Sequence, residues 1–404
     1  MPFFTSLFLL HPASHFLLVT AFLVTTIVQM LNPYIIIGLN QALSIPPETT
    51  SLIVFFALTS GSLLAVLFSF IVSKFWIFRT AIISMMLLSV GLFLLFVITQ
   101  LSLATFTIIL FIALTMIRAS VNIFTMSSRT LQILVNPSLP ATLIMSFVAT
   151  SFSIGTIVAP ILGETLFDLG GLSFIVTFSL VFSLVSIGGL FYLFPLRKTM
   201  VVAEVADKIY FHRPEPHIFI VSVIAMLGYI LHAVVYSIVP LAASSSNEGY
   251  SSVKIFFISM AIMRLIVPVA MASIRLHEKL KPTVAFGIAI CMLWVANMAI
   301  FQINWIDSTI FLILIGATFG VGEAILSIFT MAALNHDPVR PDKLPIHNGI
   351  YIFLTSAIGI GLGQYLGTAA ITFLRLNETI LLSTTAASLG FISIFFYTYV
   401  KKGD

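Results

Sequence analysis

Long apolar runs separated by short polar breaks fill this chain, and the runs do not alternate with period two. In hydrocarbon every backbone N–H and C=O must be satisfied within its own segment or in a closed barrel, so unalternated apolar runs select helices. A helix needs roughly 20 residues to cross the bilayer core. Runs of that length lie near 16–39, 51–73, 80–99, 103–127, 141–163 and 172–195, and again near 217–241, 253–274, 283–303, 308–334, 348–374 and 379–400. The pattern predicts an all-α integral membrane fold of twelve transmembrane helices in two six-helix bundles, residues 1–195 and 217–404. The longest charged stretch, with Arg197, Lys198, Glu204, Asp207, Lys208, Arg213 and Glu215, falls between them and reads as a linker over 196–216.

Composition agrees and narrows the class. Hydrophobic residues make up 60% of the 404 residues and charged ones 8%, whereas a soluble domain carries about a quarter charged. The net charge of +4 does not form a nucleic-acid patch, because the basic residues are dispersed among short loops. Cys291 is the single cysteine, so no intrachain disulfide can form. Residues 1–15 lack a basic leader and run straight into a full-length span, which reads as a signal anchor that is not cleaved. Loops that stay in the cytoplasm carry the Lys and Arg excess. Placing both termini inside puts fourteen of the eighteen basic residues there, among them Lys74, Arg79 and Arg129, and leaves Arg375 outside. Arg118, Lys254 and Arg264 fall within spans. The expected location is the plasma membrane, multi-pass.

The halves also resemble each other. A shift of 204 positions lays Gly155, Ala159 and Gly163 of the fifth span on Gly359, Gly363 and Gly367 of the eleventh. Small residues at four-residue spacing let membrane helices approach closely. The same shift brings Arg118 onto Gly322, beside Glu323, which places both near one central cavity.

A charge at the bilayer centre costs roughly 2.5 to 3.5 kcal/mol on insertion scales, so each such residue needs a partner or a wet cavity. The candidates for substrate binding are Gln29, Asn32, Arg118, Asn122, Tyr229, His232, Tyr236, Arg264 and Glu323. Glu323 is the one acid placed deep in a span, and with His232 it is the candidate for proton coupling. The alternative for each charged residue is a structural pair, or for Lys254 a side chain reaching to the interface. No Walker-type lysine loop, Cys/His metal cluster or nucleophile elbow occurs, and the Gly359–Gly363 run lies in an apolar helix with no strand before it. No enzyme, metal or cofactor is expected, and the energy for any work must come from a gradient or from the substrate itself.

Gly155-Thr-Ile-Val-Ala159-Pro160-Ile-Leu-Gly163-Glu164 resembles the Gly-Pro-rich motif of the antiporter branch of the major facilitator superfamily, with Ala159 where glycine is usual. Arg118 is similar to the arginine of that family's fourth-span motif. The loop Ser73-Lys74-Phe75-Trp76-Ile77-Phe78-Arg79 keeps the basic residues of the family's second-to-third-span signature but not its acid. The resemblance implies alternating access by two rocking bundles, with Gly155, Pro160 and Gly163 allowing a bend and close packing between the halves. The expected function is secondary active transport, as proton-coupled efflux of a small anionic or amphiphilic compound such as a metallophore or siderophore. Within the spans basic charge exceeds acidic, which favours an anionic solute. The alternatives are export of lipophilic cations as a multidrug carrier, solute uptake, and lipid flipping. Expected partners are a small-molecule substrate, protons and membrane lipids, acting on a monomer.

The loop charges yield a test of orientation. Cysteines at positions 74 or 208 are expected to react with an impermeant thiol reagent from the cytoplasmic side alone, and those at 247 or 307 from outside alone. Reversed labelling of both sets overturns the topology.

Overall fold

The computed structural model describes residues 10–43, 45–71, 77–101, 107–136, 139, 141–193, 216–244, 251–273, 280–302, 308–334, 344–372 and 376–403. Among them the structure is entirely helical: α1 Pro12–Leu43, α2 Pro47–Ile71, α3 Ile77–Leu101, α4 Thr107–Val135, α5 Ala141–Leu193, α6 Pro216–Ser244, α7 Ser251–Ser273, α8 Pro282–Gln302, α9 Thr309–Leu334, α10, and α11 Leu376–Gly403. Helix α10 starts as Leu344–Ile352, widens to a π-helix over Phe353–Leu362 and resumes as Gly363–Thr372. Four helices open on proline, at Pro12, Pro47, Pro216 and Pro282, where the missing N–H is harmless and φ is already helical.

Ten of the described helices are long and apolar enough to cross a membrane, against twelve expected. The difference has two sources. In α11 the apolar part is only Leu382–Thr398. The other source is α5, whose 53 residues would extend about 80 Å if straight, far beyond the ~30 Å hydrocarbon core. It is broken at Gly170 (φ −166°, ψ 25°) and Gly171 (φ 64°, ψ −154°), the second a conformation that suits glycine alone. Neighbours along α1 trace a reversal there. Gly155 faces Phe22, Gly163 faces Tyr34 and Gly38 faces Leu172, yet Tyr192 lies back beside Phe16, ring centroids 5.5 Å apart.

Buried apolar side chains fall into two large clusters, one built from α1–α5 and one from α6–α11. Large apolar residues elsewhere point outward, Ile310 and Phe395 each being 72% exposed, as a lipid-facing surface requires. Lipid is as apolar as leucine, so close van der Waals contact between helices, not water exclusion, must hold such a bundle.

The glycine ladders supply that contact and reveal the repeat. A Cβ on Gly155 would lie 2.9 Å from the Phe22 carbonyl oxygen, and one on Gly359 would lie 3.1 Å from that of Met226. Phe22 and Met226 are themselves 204 positions apart, as are Met30 and Val234, the residues facing Gly163 and Gly367. So α1 packs on the first stretch of α5 as α6 packs on α10. This corrects one expectation: Gly155 and Gly163 do not pack between the halves but against α1 of their own half, with Ala159 and Pro160 buried beside them.

Contacts between the halves run chiefly along α5 with α7 and α2 with α10. At one face, here the near face, a cluster joins the end of α4 (Met126), the start of α5 (Ile144, Met145), the start of α6 (Ile218), the end of α9 (Met331, Leu334) and the start of α10 (Tyr351, Ile352). Toward the far face, Lys254 Nζ of α7 lies 2.9 Å from Glu164 Oε2 of α5, and Phe55 of α2 meets Tyr365 of α10 at 6.3 Å. The halves touch on both sides of the centre.

The ladder makes a quantitative prediction. A Cβ at Gly363 would meet Ala233 Cβ and the Ile230 carbonyl, each at 2.7 Å, whereas one at Gly188 meets nothing within 4 Å. Gly363→Ala is expected to lower the melting temperature of purified protein, by the equivalent of about 1–3 kcal/mol for overpacking, and Gly188→Ala to leave it unchanged or slightly raised.

Candidate ion-pair and substrate site

Helix α9 carries its one acid, Glu323, three residues past Gly320. A Cβ on Gly316 or Gly320 would collide with the α7 backbone at Phe256 or Met260, so these glycines let α9 and α7 close together. That approach brings Arg264, one turn beyond Met260, to Glu323, with Nη1 3.1 Å from Oε1. On the other side, α6 presents Tyr229, His232 and Tyr236 at i, i+3 and i+7, one helix face. His232 Nδ1 lies 3.3 Å from Glu323 Oε2, a close polar approach without the alignment of a hydrogen bond. The carboxylate is 3% exposed and His232 7%. In so dry a site an ionised carboxylate persists only because Arg264 opposes it.

Aromatic and hydroxyl groups enclose this pair. Tyr236 stacks on His232 with centroids 4.2 Å apart, and Phe319 covers another side at 5.3 Å. The Tyr236 hydroxyl donates to Gln29 Oε1 of α1 at 3.2 Å, and the Ser153 hydroxyl of α5 donates to the Arg264 carbonyl at 3.1 Å. The ion pair thus belongs to the α6–α11 half and is touched by the first half through neutral groups.

A second group lies on α4. Arg118 donates from Nη2 to Asn32 Oδ1 of α1. One turn on, Asn122 Nδ2 donates to Ser62 Oγ of α2 at 2.9 Å, and the Ser356 hydroxyl of the α10 π-helix donates to Asn122 Oδ1 at 3.4 Å. Asn32, Tyr236, Ser237 and Gln364 line a small cavity with Pro33, Ile36 and Ile37. It has room for about one water molecule, and Gln364 Oε1, buried, has no partner in it.

The sequence candidates therefore divide. Gln29, His232, Tyr236, Arg264 and Glu323 form one network with Tyr229 beside it, while Asn32, Arg118 and Asn122 form the second. Arg118 and Glu323 are not paired, although the repeat puts them at adjacent positions, because α7 supplies the nearer cation. Lys74 lies outside the described residues; Arg79 sits half-buried in the first turn of α3. Lys254 is bound to Glu164 rather than extended alone. No group of three potential metal ligands occurs among the described residues. Sequence reasoning missed Ser62, Ser153, Ser356 and Gln364, and it put Arg129 in a loop. Helix α4 runs on to Val135, and Arg129 lies inside it over the rings of Phe152 and Tyr351, 5.9 and 5.8 Å from their centroids.

Two similar sets of apolar helices, with ionised groups buried where they meet, define a multi-pass membrane protein of the transporter class. The chain belongs to the Major Facilitator Superfamily, whose profile matches residues 17–364. Solved structures share the fold. They include a POT family transporter in complex with 5-aminolevulinic acid (14% identity, 96% of each chain, TM-score 0.72) and an auto-inhibited POT family peptide transporter (12%, 97% of each, 0.74). A bacterial homologue of the iron transporter ferroportin, outward-facing, matches at 13% identity over 96% of this chain and all of that one, TM-score 0.69. No curated protein matches the chain.

The buried pair sets up a double-mutant cycle. Removing one partner of a buried pair costs about 3–5 kcal/mol because the other charge is stranded. Arg264→Gln and Glu323→Gln are each expected to lower the melting temperature sharply, and the double variant to recover much of the loss. Lys254→Ala, which breaks a half-exposed pair, is expected to shift it little. Additive losses at 264 and 323 would contradict the pairing.

Proposed function

We propose that the protein is a proton-coupled exporter of a small anionic or amphiphilic compound, of the metallophore or siderophore kind, working by alternating access in the plasma membrane. In this reading the break at Gly170–Gly171 divides α5 into two spans and α11 is the last, giving twelve spans in two bundles with both termini cytoplasmic and the near face toward the cytoplasm. The observation that carries it is Arg118. This guanidinium stands in the interior opposite an amide, while Glu323 is already engaged by Arg264 and His232. A cation with no carboxylate at ion-pair distance among the described residues, near a small polar cavity, favours an anionic ligand, and an amide partner is readily exchanged for a carboxylate, which takes a charge-assisted bond about twice as strong. Export of lipophilic cations would need a free acid at the centre, and Glu323 is already opposed by Arg264.

Protons enter through the His232–Glu323 contact. A carboxylate separated from Arg264 during the cycle can take a proton.

The test is flux in proteoliposomes with a panel of anionic and cationic solutes, read with substrate-dependent pH change and a melt of the same preparation. In Glu323→Gln protein kept below its lowered melting temperature, substrate-linked proton movement is expected to be abolished while solute binding survives, and Arg118→Gln is expected to reduce anion flux at least tenfold. Normal proton flux through a folded Glu323→Gln protein removes Glu323 from the coupling step, and selective transport of cations overturns the anion reading.

A further inference from the structure

Arg129 is the one cation of α4 besides Arg118, and the central network does not use it. Arg118, Asn122 and Arg129 fall within about 40° of one another around the helix, given 100° per residue, and Arg129 lies about 16 Å from Arg118 along the axis toward the near face. Its guanidinium sits over Phe152 of α5 and Tyr351 of α10, one ring from each half. The titratable groups acting on it are Tyr351 and Tyr229. Among the described residues no carboxylate lies within ion-pair distance of it, and its Nη1 is buried without a hydrogen-bond partner.

Those contacts leave it incompletely satisfied. A cation–π contact contributes about 0.5–1 kcal/mol, rising to about 2 when desolvated, so two rings near the outer limit of distance offset much of the ~2.5–3.5 kcal/mol for burying the charge. Ring faces cannot accept the in-plane N–H bonds, however, and an unpaired buried donor adds a penalty of about 1–3 kcal/mol. What is missing is an acceptor in the guanidinium plane. A carboxylate supplies one with matching fork geometry. The apolar cluster that includes Tyr351 and that Phe152 packs against also holds Met126, Met145 and Met331 with Ile144, flexible side chains that shape themselves to an apolar group.

We infer that Arg129 is a second anion subsite, at the near face, which takes the carboxylate of an amphiphilic ligand while its apolar part lies in the methionine cluster. The inference rests on the anion-transport reading above and adds a stage to it. Phe152 and Tyr351 come from opposite halves, so parting the near face withdraws one ring and opens the guanidinium to a ligand arriving from that side. The ligand meets Arg129 first and Arg118 three turns further in, along one polar stripe of α4.

The test uses the purified full chain and thermal melts with phenylacetate, its neutral isostere phenylacetamide, and acetate at matched ionic strength. Phenylacetate is expected to stabilise the wild type, phenylacetamide not to, and acetate to require at least tenfold higher concentration. Arg118→Gln is expected to retain a phenylacetate response that Arg118→Gln/Arg129→Gln loses. Arg129→Lys, which keeps the charge but not the planar fork, is expected to raise the half-saturating concentration at least fivefold in the Arg118→Gln background, and it serves where the glutamine variant does not fold. If Arg118→Gln alone removes the whole response, Arg129 is no subsite, and the central anion site stands. If the wild type does not respond, or the double variant responds fully, both readings fall. An equal response to phenylacetate and acetate overturns the amphiphilic ligand.

Discussion

The difficulty of holding charge in hydrocarbon governs this molecule. Each ionised side chain within the helices must find a counter-charge, an acceptor or an aromatic face, and the partners found determine which helices stay together. Glu323 is held by Arg264 and His232 from α7 and α6, so three helices of one half are tied at their middles. A carboxylate there without Arg264 would be a stranded charge, and the favourable geometry of the pair depends on how near α7 and α9 can come. Gly316 and Gly320 set that distance. The electrostatics of the site thus rest on two residues that carry no side chain.

The repeat shows the same principle where no charge is involved. Small residues at 155, 159 and 163 seat α5 on α1, and those at 359, 363 and 367 seat α10 on α6, with facing residues also displaced by 204 positions. The duplicated scaffold carries different chemistry in its two copies. Asn32 of α1 corresponds to Tyr236 of α6, and Arg118 of α4 to Gly322 of α9, next to the acid. One half therefore presents a cation bonded to an amide, and the other a compensated ion pair with aromatic rings.

Much of this was legible in the amino-acid sequence, for physical reasons. Hydropathy marks where a chain can sit in lipid, so the apolar runs foretell the helices, and depth in a run foretells that Arg118, Arg264, His232 and Glu323 need partners. Which partner each takes depends on helix approach, which hydropathy does not encode; that is why Arg264 rather than Arg118 stands on Glu323. Ser62, Ser153 and Ser356 escaped notice because hydroxyls in membrane helices ordinarily bond to their own preceding turn, as Ser127 and Thr130 do here. Arg129 escaped because Ser127, Ser128 and Thr130 around it lower hydropathy enough to end the predicted fourth span. Its placement on the Arg118–Asn122 stripe was the available signal.

The strength of the bonds within and between the halves differs in a way that bears on motion. The Arg264–Glu323 pair is dry and lies within one half, whereas the bonds crossing the centre are neutral and long: 3.2 Å from Tyr236 to Gln29, 3.1 Å from Ser153 to the Arg264 carbonyl, 3.4 Å from Ser356 to Asn122. Each such bond contributes about 0.5–1.5 kcal/mol net. The crossing ion pair, Lys254 with Glu164, is 41% and 18% exposed at its side chains, where such pairs contribute about 0–1 kcal/mol. Strong attachments thus hold each half rigid while the seam is joined by bonds that a ligand or water can replace one at a time. A ligand that spans the seam and bonds better to one arrangement than another shifts the balance by that difference alone. A seam of weak neutral bonds keeps that difference decisive, which a charge pair buried across the halves would not.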